Sequence, residues 1–148
     1  MEQFKNLINS KILGIVRICD LIKINFKSCE KEICIHVQKA LFRIVESEKL
    51  LVSSWDIGIP GKNYKRKLFQ KFKWDIPGNT LYDDEINDNK DKLLDTAVID
   101  VFSNGKDLIL QLENNLRIEI IADTLQPEHE IYRVFELNNL ESHYVIES

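Results

Sequence analysis

The sequence predicts an α+β fold: a curved, mainly antiparallel sheet built from two β-meander pseudo-repeats, with an N-terminal helix. One pattern of β-branched runs joined by short polar turns occurs twice, over residues 10–56 and 96–148. Within the runs, apolar and polar residues tend to alternate, as in a strand with one buried and one solvated face. Residues 57–95 break the pattern, so we interpret them as an insertion within a single domain that covers residues 1–148.

The first repeat is predicted to follow a short helix. Phe4, Leu7 and Ile8 have helical spacing, which predicts one apolar stripe near the N-terminus. The strands of this repeat are expected at about residues 12–19, 21–26, 32–37, 41–45 and 50–54. The turn at Cys19 and Asp20 is so tight that the first two strands could instead be one bent strand.

The second repeat contains another three-stranded meander, between about residues 96 and 122. Asn104-Gly105 and Asn114-Asn115 are residues that tolerate the positive φ angles of hairpin turns. Pro127 is expected to break the chain. Residues 128–137 fit either a short helix or an edge strand, and the segment after residue 142 fits a last strand.

The insertion contains a basic segment and an acidic segment. The basic segment, residues 62–74, has interleaved aromatic residues and lies between two Pro-Gly turns. Four of its residues have helical spacing and predict a short amphipathic helix: Tyr64, Leu68, Phe69 and Phe72. The segment resembles a platform for single-stranded nucleic acid. Pairing with the acidic residues 83–91, with the aromatic rings packed on the sheet, is the simpler interpretation.

Composition narrows the class of protein. A formal net charge of −4 argues against nucleic-acid binding, which usually needs a basic face. The cysteines, Cys19, Cys29 and Cys34, are odd in number and lack metal-ligand spacing, so we expect free thiols. The N-terminus lacks the charge order of a secretory signal, and charges interrupt the apolar stretch 12–26. We therefore expect a cytoplasmic protein with no membrane partner.

A candidate polar cluster consists of His36, Gln38 and Arg43. Strand alternation places His36 and Gln38 on one face and Ile35 and Val37 on the other. The remaining histidines have no ligand spacing to His36, so cross-strand hydrogen bonds are the simpler role for this cluster.

Two other segments contain residue types that occur in catalytic or metal-binding sites. Ser53 and Ser54 lack a Gly-x-Ser-x-Gly elbow and have no histidine near them in sequence, so no catalytic residue is assigned. The acidic run 83–91 lacks the central glycine and terminal glutamate of an EF-hand loop. A solvated loop is the ordinary structure of such a run, so neither a metal nor a cofactor is expected.

The order His36-Val37-Gln38, Phe42-Arg43-Ile44 and Ser53-Ser54-Trp55-Asp56 resembles a group of small bacterial α+β proteins of uncharacterised activity. The second half of such proteins carries an Asp-Leu strand and a Glu-x-x-Arg segment. Asp107-Leu108 and Glu130-Ile131-Tyr132-Arg133 stand in those places here. The resemblance implies a protein of a toxin–immunity locus, with a binding role and no catalytic residues to carry over.

The first functional hypothesis is a non-enzymatic immunity protein that binds and neutralises a cognate toxin domain, such as a basic nuclease domain. Complementary charge would steer such a partner, and aromatic side chains would hold it. The predicted partner-binding residues are Trp74, Tyr82, Asp83, Asp84, Glu85, Asp88 and Asp91. Two alternatives stay open. One is a small-molecule or enzymatic site that uses the polar cluster in the concavity of the sheet. The other is a homo-oligomeric accessory protein that pairs through a sheet edge.

Overall fold

The computed structural model describes residues 2–126 and 128–147, which form two five-stranded antiparallel sheets. The strands of the first half are β1 (Lys11–Ile18), β2 (Leu21–Lys27), β3 (Glu32–Val37), β4 (Leu41–Glu46) and β5 (Lys49–Ser53). Those of the second half are β6 (Val98–Asn104), β7 (Asp107–Leu112), β8 (Leu116–Ile121), β9 (Glu130–Glu136) and β10 (Tyr144–Glu147). β1 and β2 are therefore separate strands, and residues 130–136 form a strand rather than a helix. Pro127 lies outside the described residues.

The two halves of the chain exchange hairpins. The first sheet has the order β1-β2-β3-β9-β10, and the second has the order β6-β7-β8-β4-β5. Each half therefore contributes a three-stranded meander to one sheet and a two-stranded hairpin to the other. The prediction of a single curved sheet is corrected here, because the segment after each meander carries the chain across to the opposite sheet.

The two meanders are equivalent in detail. Each begins with a β-bulge, between Ile12 and Gly14 in β1 and between Val98 and Asp100 in β6. The starts of these two strands also meet, because the backbone N–H of Asn9 donates to the carbonyl of Val98 at 2.8 Å. The bulged strands thus join the two sheets at one corner.

One cluster of buried apolar side chains connects the two sheets. Alternate residues of each meander point into it, such as Ile24 of β2 and Leu110 of β7, which are both fully buried. Each such side chain contributes about 1.5–3 kcal/mol to the free energy of unfolding. The alternation predicted from the sequence is confirmed in these strands.

The helices differ most from the sequence-based expectations. The N-terminal helix is a six-residue 3-10 helix, Glu2–Leu7, which still buries Phe4 and Leu7. The helix predicted within residues 62–74 is wrong, because that segment is irregular. Helices form instead in the acidic segment, as α1 (Leu81–Asp88) and α2 (Lys90–Leu93).

Candidate functional site

Arg17, near the end of β1, fastens the insertion to the first sheet. Its side chain is 2% exposed, and its guanidinium forms a bidentate ion pair with Asp83, with Nη2 2.7 Å from Oδ2 and Nε 3.0 Å from Oδ1. The remaining N–H groups donate to the backbone carbonyls of Cys19, Trp74 and Ile76 at 2.8, 2.8 and 3.2 Å. All five donors of the guanidinium are therefore used. Sequence reasoning did not identify Arg17, because its partners are distant in the chain.

Asp83 also caps the N-terminus of helix α1. The Thr80 hydroxyl accepts a hydrogen bond from the backbone N–H of Asp83, and the Asp83 carboxylate accepts one from the backbone N–H of Thr80. These reciprocal bonds form a capping box, which explains why the helix starts here. Partial burial favours a raised pKa for Asp83, but the hydrogen bonds from Arg17 and Thr80 outweigh it and lower the pKa. Asp83 therefore has a structural role.

Residues 62–74 are anchored at their start as well as at Trp74. The backbone N–H of Gly61 donates to the carbonyl of Asn79 at 2.8 Å. The backbone N–H of Lys62 donates to the carboxylate of Asp84 at 2.6 Å, and its Nζ lies 2.7 Å from Oδ2 of Asp88. Residues 62–74, the basic loop, are thus held at Lys62 by helix α1 and at their far end by Arg17.

Tyr82 lies in the core, so its predicted role as a surface anchor is corrected. It is 2% exposed and contacts Phe42 edge to face, with ring centroids 6.3 Å apart. Burial raises the pKa of its hydroxyl, which has no hydrogen-bond partner within the described residues. A helix in the acidic segment, rather than a loop, turns this side chain inward.

Glu85 faces the preceding 3-10 helix, Ser54–Gly58, rather than open solvent. Its carboxylate accepts a hydrogen bond from the backbone N–H of Ser53 at 3.2 Å. Partial burial is the main reason that the pKa of Glu85 rises to about 7. A hydrogen bond with Asp56 raises the pKa further, whereas the N–H of Ser53 lowers it.

Three of the predicted partner-binding residues present exposed side chains. Trp74 is 41% exposed, and Asp88 and Asp91 lie on the solvent side of the helices. Asp88 is engaged by Lys62, whereas Asp91 forms no ion pair with any described residue. The acidic surface is therefore smaller than the sequence suggested.

The tip of the basic loop carries two consecutive exposed apolar side chains. Leu68 is 85% exposed and Phe69 is fully exposed. They lie at a turn in which the backbone N–H of Gln70 donates to the carbonyl of Lys67 at 3.2 Å. The expectation that the aromatic residues of this segment pack on the sheet is wrong for Phe69.

The cations of the basic loop are largely unpaired with the acidic segment. Five exposed basic side chains of the loop form no ion pair with any described residue: Lys65, Arg66, Lys67, Lys71 and Lys73. Only Lys62 makes the predicted pairing, with Asp88. Tyr64 and Phe72 contact each other edge to face at 5.0 Å and line an open hollow of about 920 Å³ beneath the tip.

The polar cluster is only partly assembled. Gln38 donates to Glu130 at 3.3 Å, and Glu130 also accepts from Nε of Arg133 at 2.7 Å. Arg133 is the cross-strand neighbour of His36, and its Nη1 lies 3.2 Å from Nδ1 of His143. Burial, followed by the nearby cations Lys23 and Arg133, lowers the pKa of His36.

Arg43 lies apart from His36 and Gln38, in the other sheet. It donates to the carboxylate of Glu119, which also accepts from Arg117. β9 in the first sheet and β4 in the second sheet occupy equivalent positions, each next to the last strand of a meander. The arginine beside His36 is therefore Arg133 of β9, and not Arg43 of β4 as the sequence suggested. The repeated aromatic-Arg-aliphatic pattern at Arg43 and Arg133 is the sequence signal that could have indicated this equivalence. No group of ligating side chains that could hold a metal ion occurs in the described residues.

No protein-family model, curated protein or solved structure matches this chain. Within residues 2–126 and 128–147, no helix is both long enough and apolar enough to cross a membrane. The insertion is the feature from which we infer a function.

Proposed function

We propose that this protein acts by binding another protein through the insertion, without catalysis, and that it is an immunity protein for a toxin domain. The main support is a set of large apolar side chains that are exposed within the insertion and just before it: Trp55, Ile59, Trp74 and Ile76. Exposed aromatic and aliphatic residues rimmed by charge are typical of protein-binding surfaces.

The way in which the insertion is anchored supports the same proposal. Arg17 bonds the carbonyls of Trp74 and Ile76, so the backbone that carries these side chains is held against the sheet. A surface ordered before binding loses less conformational entropy when a partner arrives. The insertion thereby combines exposed apolar side chains with a fixed backbone.

Charge provides the second support. Asp88 and Asp91 have exposed side chains in α1 and α2. Exposed carboxylates accelerate association with a basic partner such as a nuclease domain. The resemblance to toxin–immunity proteins, carried by the motifs around His36 and Arg43, is consistent with this class of partner.

The experiment uses the C-terminal domain of the protein encoded immediately upstream of this gene, which the proposal predicts to be toxic. We expect this protein to bind that domain in isothermal titration calorimetry and to restore growth of cells that express it. W74A and D88K/D91K should each weaken binding at least about tenfold, because they remove an aromatic anchor and reverse the steering charge.

The matched controls are F102A, which removes an exposed aromatic ring on β6, and D20K/E48K, which reverses exposed acids elsewhere. Both should bind as the wild type does. Binding without growth rescue would contradict the immunity role. Equal affinities for the wild type, W74A and D88K/D91K would contradict the proposed surface.

A further inference from the structure

The tip of the basic loop presents two large apolar side chains to solvent. Leu68 and Phe69 are consecutive, and Phe69 adopts a positive φ angle of 66°. Scattered single apolar residues are ordinary on a protein surface. Two adjacent residues that are almost wholly exposed at a turn are instead typical of a contact with an apolar environment.

The surroundings of the tip are strongly basic. The five unpaired cations of the loop carry a local charge of opposite sign to the whole chain, whose formal charge is −4. The loop contains no acidic residue between Lys62 and Trp74. A partner that contacts the tip must therefore also be anionic.

The loop is held at both of its ends. Asp84 fixes Lys62 at one end, and Arg17 fixes the carbonyl of Trp74 at the other. Between these points, Tyr64 and Phe72 contact each other and brace the base of the loop. The apolar tip is thus carried by a braced loop with cations on both sides of it.

We propose that the basic loop is a contact site for the surface of an anionic lipid bilayer. Leu68 and Phe69 enter the boundary between headgroups and acyl chains, while Lys and Arg side chains bind lipid phosphates. The tip of the loop, residues 65–71, shares no residue with the proposed toxin contacts Trp74, Asp88 and Asp91, so this proposal does not depend on the proposed immunity role. This proposal departs from the sequence-based expectation of no membrane partner, which rested on the lack of a signal sequence and of a spanning segment, because here only a loop tip enters the interface.

Single-stranded nucleic acid fits the loop less well. Leu68 has no ring on which a base could stack, and the rings of Tyr64 and Phe72 already contact each other. Phe69 is then the one ring left free at the tip, and Trp74 lies at the anchored end of the loop, so the loop lacks the successive free rings of a stacking platform. An anionic lipid surface, by contrast, can contact both tip residues and the cations.

The test is cosedimentation of the full chain with vesicles of phosphatidylcholine alone and of phosphatidylcholine mixed with phosphatidylglycerol. We expect binding to the mixed vesicles, with loss of binding at high salt. R66A/K67A should lower the partition coefficient about fivefold for each cation removed. L68S/F69S should lower it at least about tenfold, because the apolar insertion is lost.

Matched controls separate these effects from general changes in surface chemistry. L125S replaces another fully exposed leucine, and K39A/K106A removes two exposed lysines elsewhere. Both should partition as the wild type does. In F69W, the tryptophan emission should shift to shorter wavelength when mixed vesicles are added.

Three results would overturn the proposal. The first is absence of binding to the mixed vesicles. The second is equal partitioning of L68S/F69S and L125S, which would mean that the tip does not insert. The third is tight binding of a single-stranded oligonucleotide that depends on Arg66 and Lys67, together with weak vesicle binding. Toxin binding by L68S/F69S is measured in parallel, and its retention would show that the two surfaces act separately.

Discussion

Arg17 and Asp83, which are separated by 66 positions in sequence, form a bidentate ion pair between strand β1 and helix α1. The pair connects the first sheet to the insertion, and its arginine also holds the backbone of Trp74. The residue that determines where the insertion lies is therefore outside the insertion. Both proposed binding surfaces depend on this contact.

Replacement of Arg17 by methionine should destabilise the protein strongly. The change removes the guanidinium that neutralises the carboxylate of Asp83 and leaves the carbonyls of Trp74 and Ile76 without this donor. Loss of one member of a buried ion pair costs about 3–5 kcal/mol in the free energy of unfolding. Urea unfolding measures this cost, and limited trypsin digestion should show faster cleavage in the basic loop.

Lys11→Met is the matched control for this prediction. Lys11 pairs with Asp95 at 3.1 Å, but both side chains are exposed, so its removal should cost no more than about 1 kcal/mol. Similar unfolding curves for R17M and K11M would show that the buried pair does not anchor the insertion.

Glu85→Gln should change how stability depends on pH. The pKa of Glu85 is raised from 4.5 to about 7 in the folded protein, so the folded state binds more protons than the unfolded state in that interval. The wild type should therefore lose stability as the pH rises from about 4.5 to about 7, and E85Q should not show this loss.

Relative to the wild type, the free energy of unfolding of E85Q should be higher at pH 8 than at pH 5 by about 1–2 kcal/mol, after allowance for solvent screening. Urea unfolding at several pH values measures the difference. E48Q, on the exposed turn between β4 and β5, is the control. If the curves of E85Q and the wild type stay parallel across the range, Glu85 does not retain its proton in the folded state.

Gly61→Ala should weaken the closure of the basic loop. A Cβ atom at this position would lie 2.8 Å from Oδ2 of Asp84 and 3.0 Å from the carbonyl oxygen of Thr80. The Asp84 side chain can move aside, but the Thr80 backbone is fixed by the capping box. We expect a cost of about 1–3 kcal/mol in thermal or urea unfolding.

Gly58→Ala is the control, since nothing lies within 4 Å of a Cβ atom there. It should leave stability nearly unchanged or raise it slightly, by less than about 1 kcal/mol. A G61A variant as stable as G58A would argue that the close approach of the chain at Gly61 is relaxed in solution.

Cleavage within the basic loop should leave the molecule assembled. Trypsin can cut at exposed residues such as Lys65 and Lys71, which separates strands β1–β5 from strands β6–β10. Because each fragment contributes a hairpin to the sheet of the other, the fragments should elute as one particle in size exclusion and separate only in denaturant. The variant K65Q/R66Q/K67Q/K71Q, uncut at these positions, is the control. Separate elution of the two fragments under native conditions would contradict the exchanged topology.

The strands were predictable because their signals are local. Apolar residues alternate with polar ones along β2, as at Ile22, Ile24 and Phe26, and this pattern has the same meaning wherever the strand lies. The positive φ angles at Asn114 and Asn115 follow equally from residue type. By contrast, no local pattern indicates which sheet receives a hairpin, so the sequence suggested one sheet where two exist.

The sequence by itself determined the strands, their turns and the unusual character of residues 57–95. Tertiary structure alone decided how the charges of that segment are used. In the sequence, Asp83 cannot be distinguished from a solvated acid, because its partner Arg17 is distant in the chain. Tyr82 cannot be distinguished from a surface aromatic residue, because only the orientation of helix α1 directs it into the core. Phe69 has helical spacing but no surface against which to pack, so it projects into solvent. The physical reason is that burial and ion pairing depend on groups brought together from distant positions, whereas alternation and turn formation depend on neighbours in the chain.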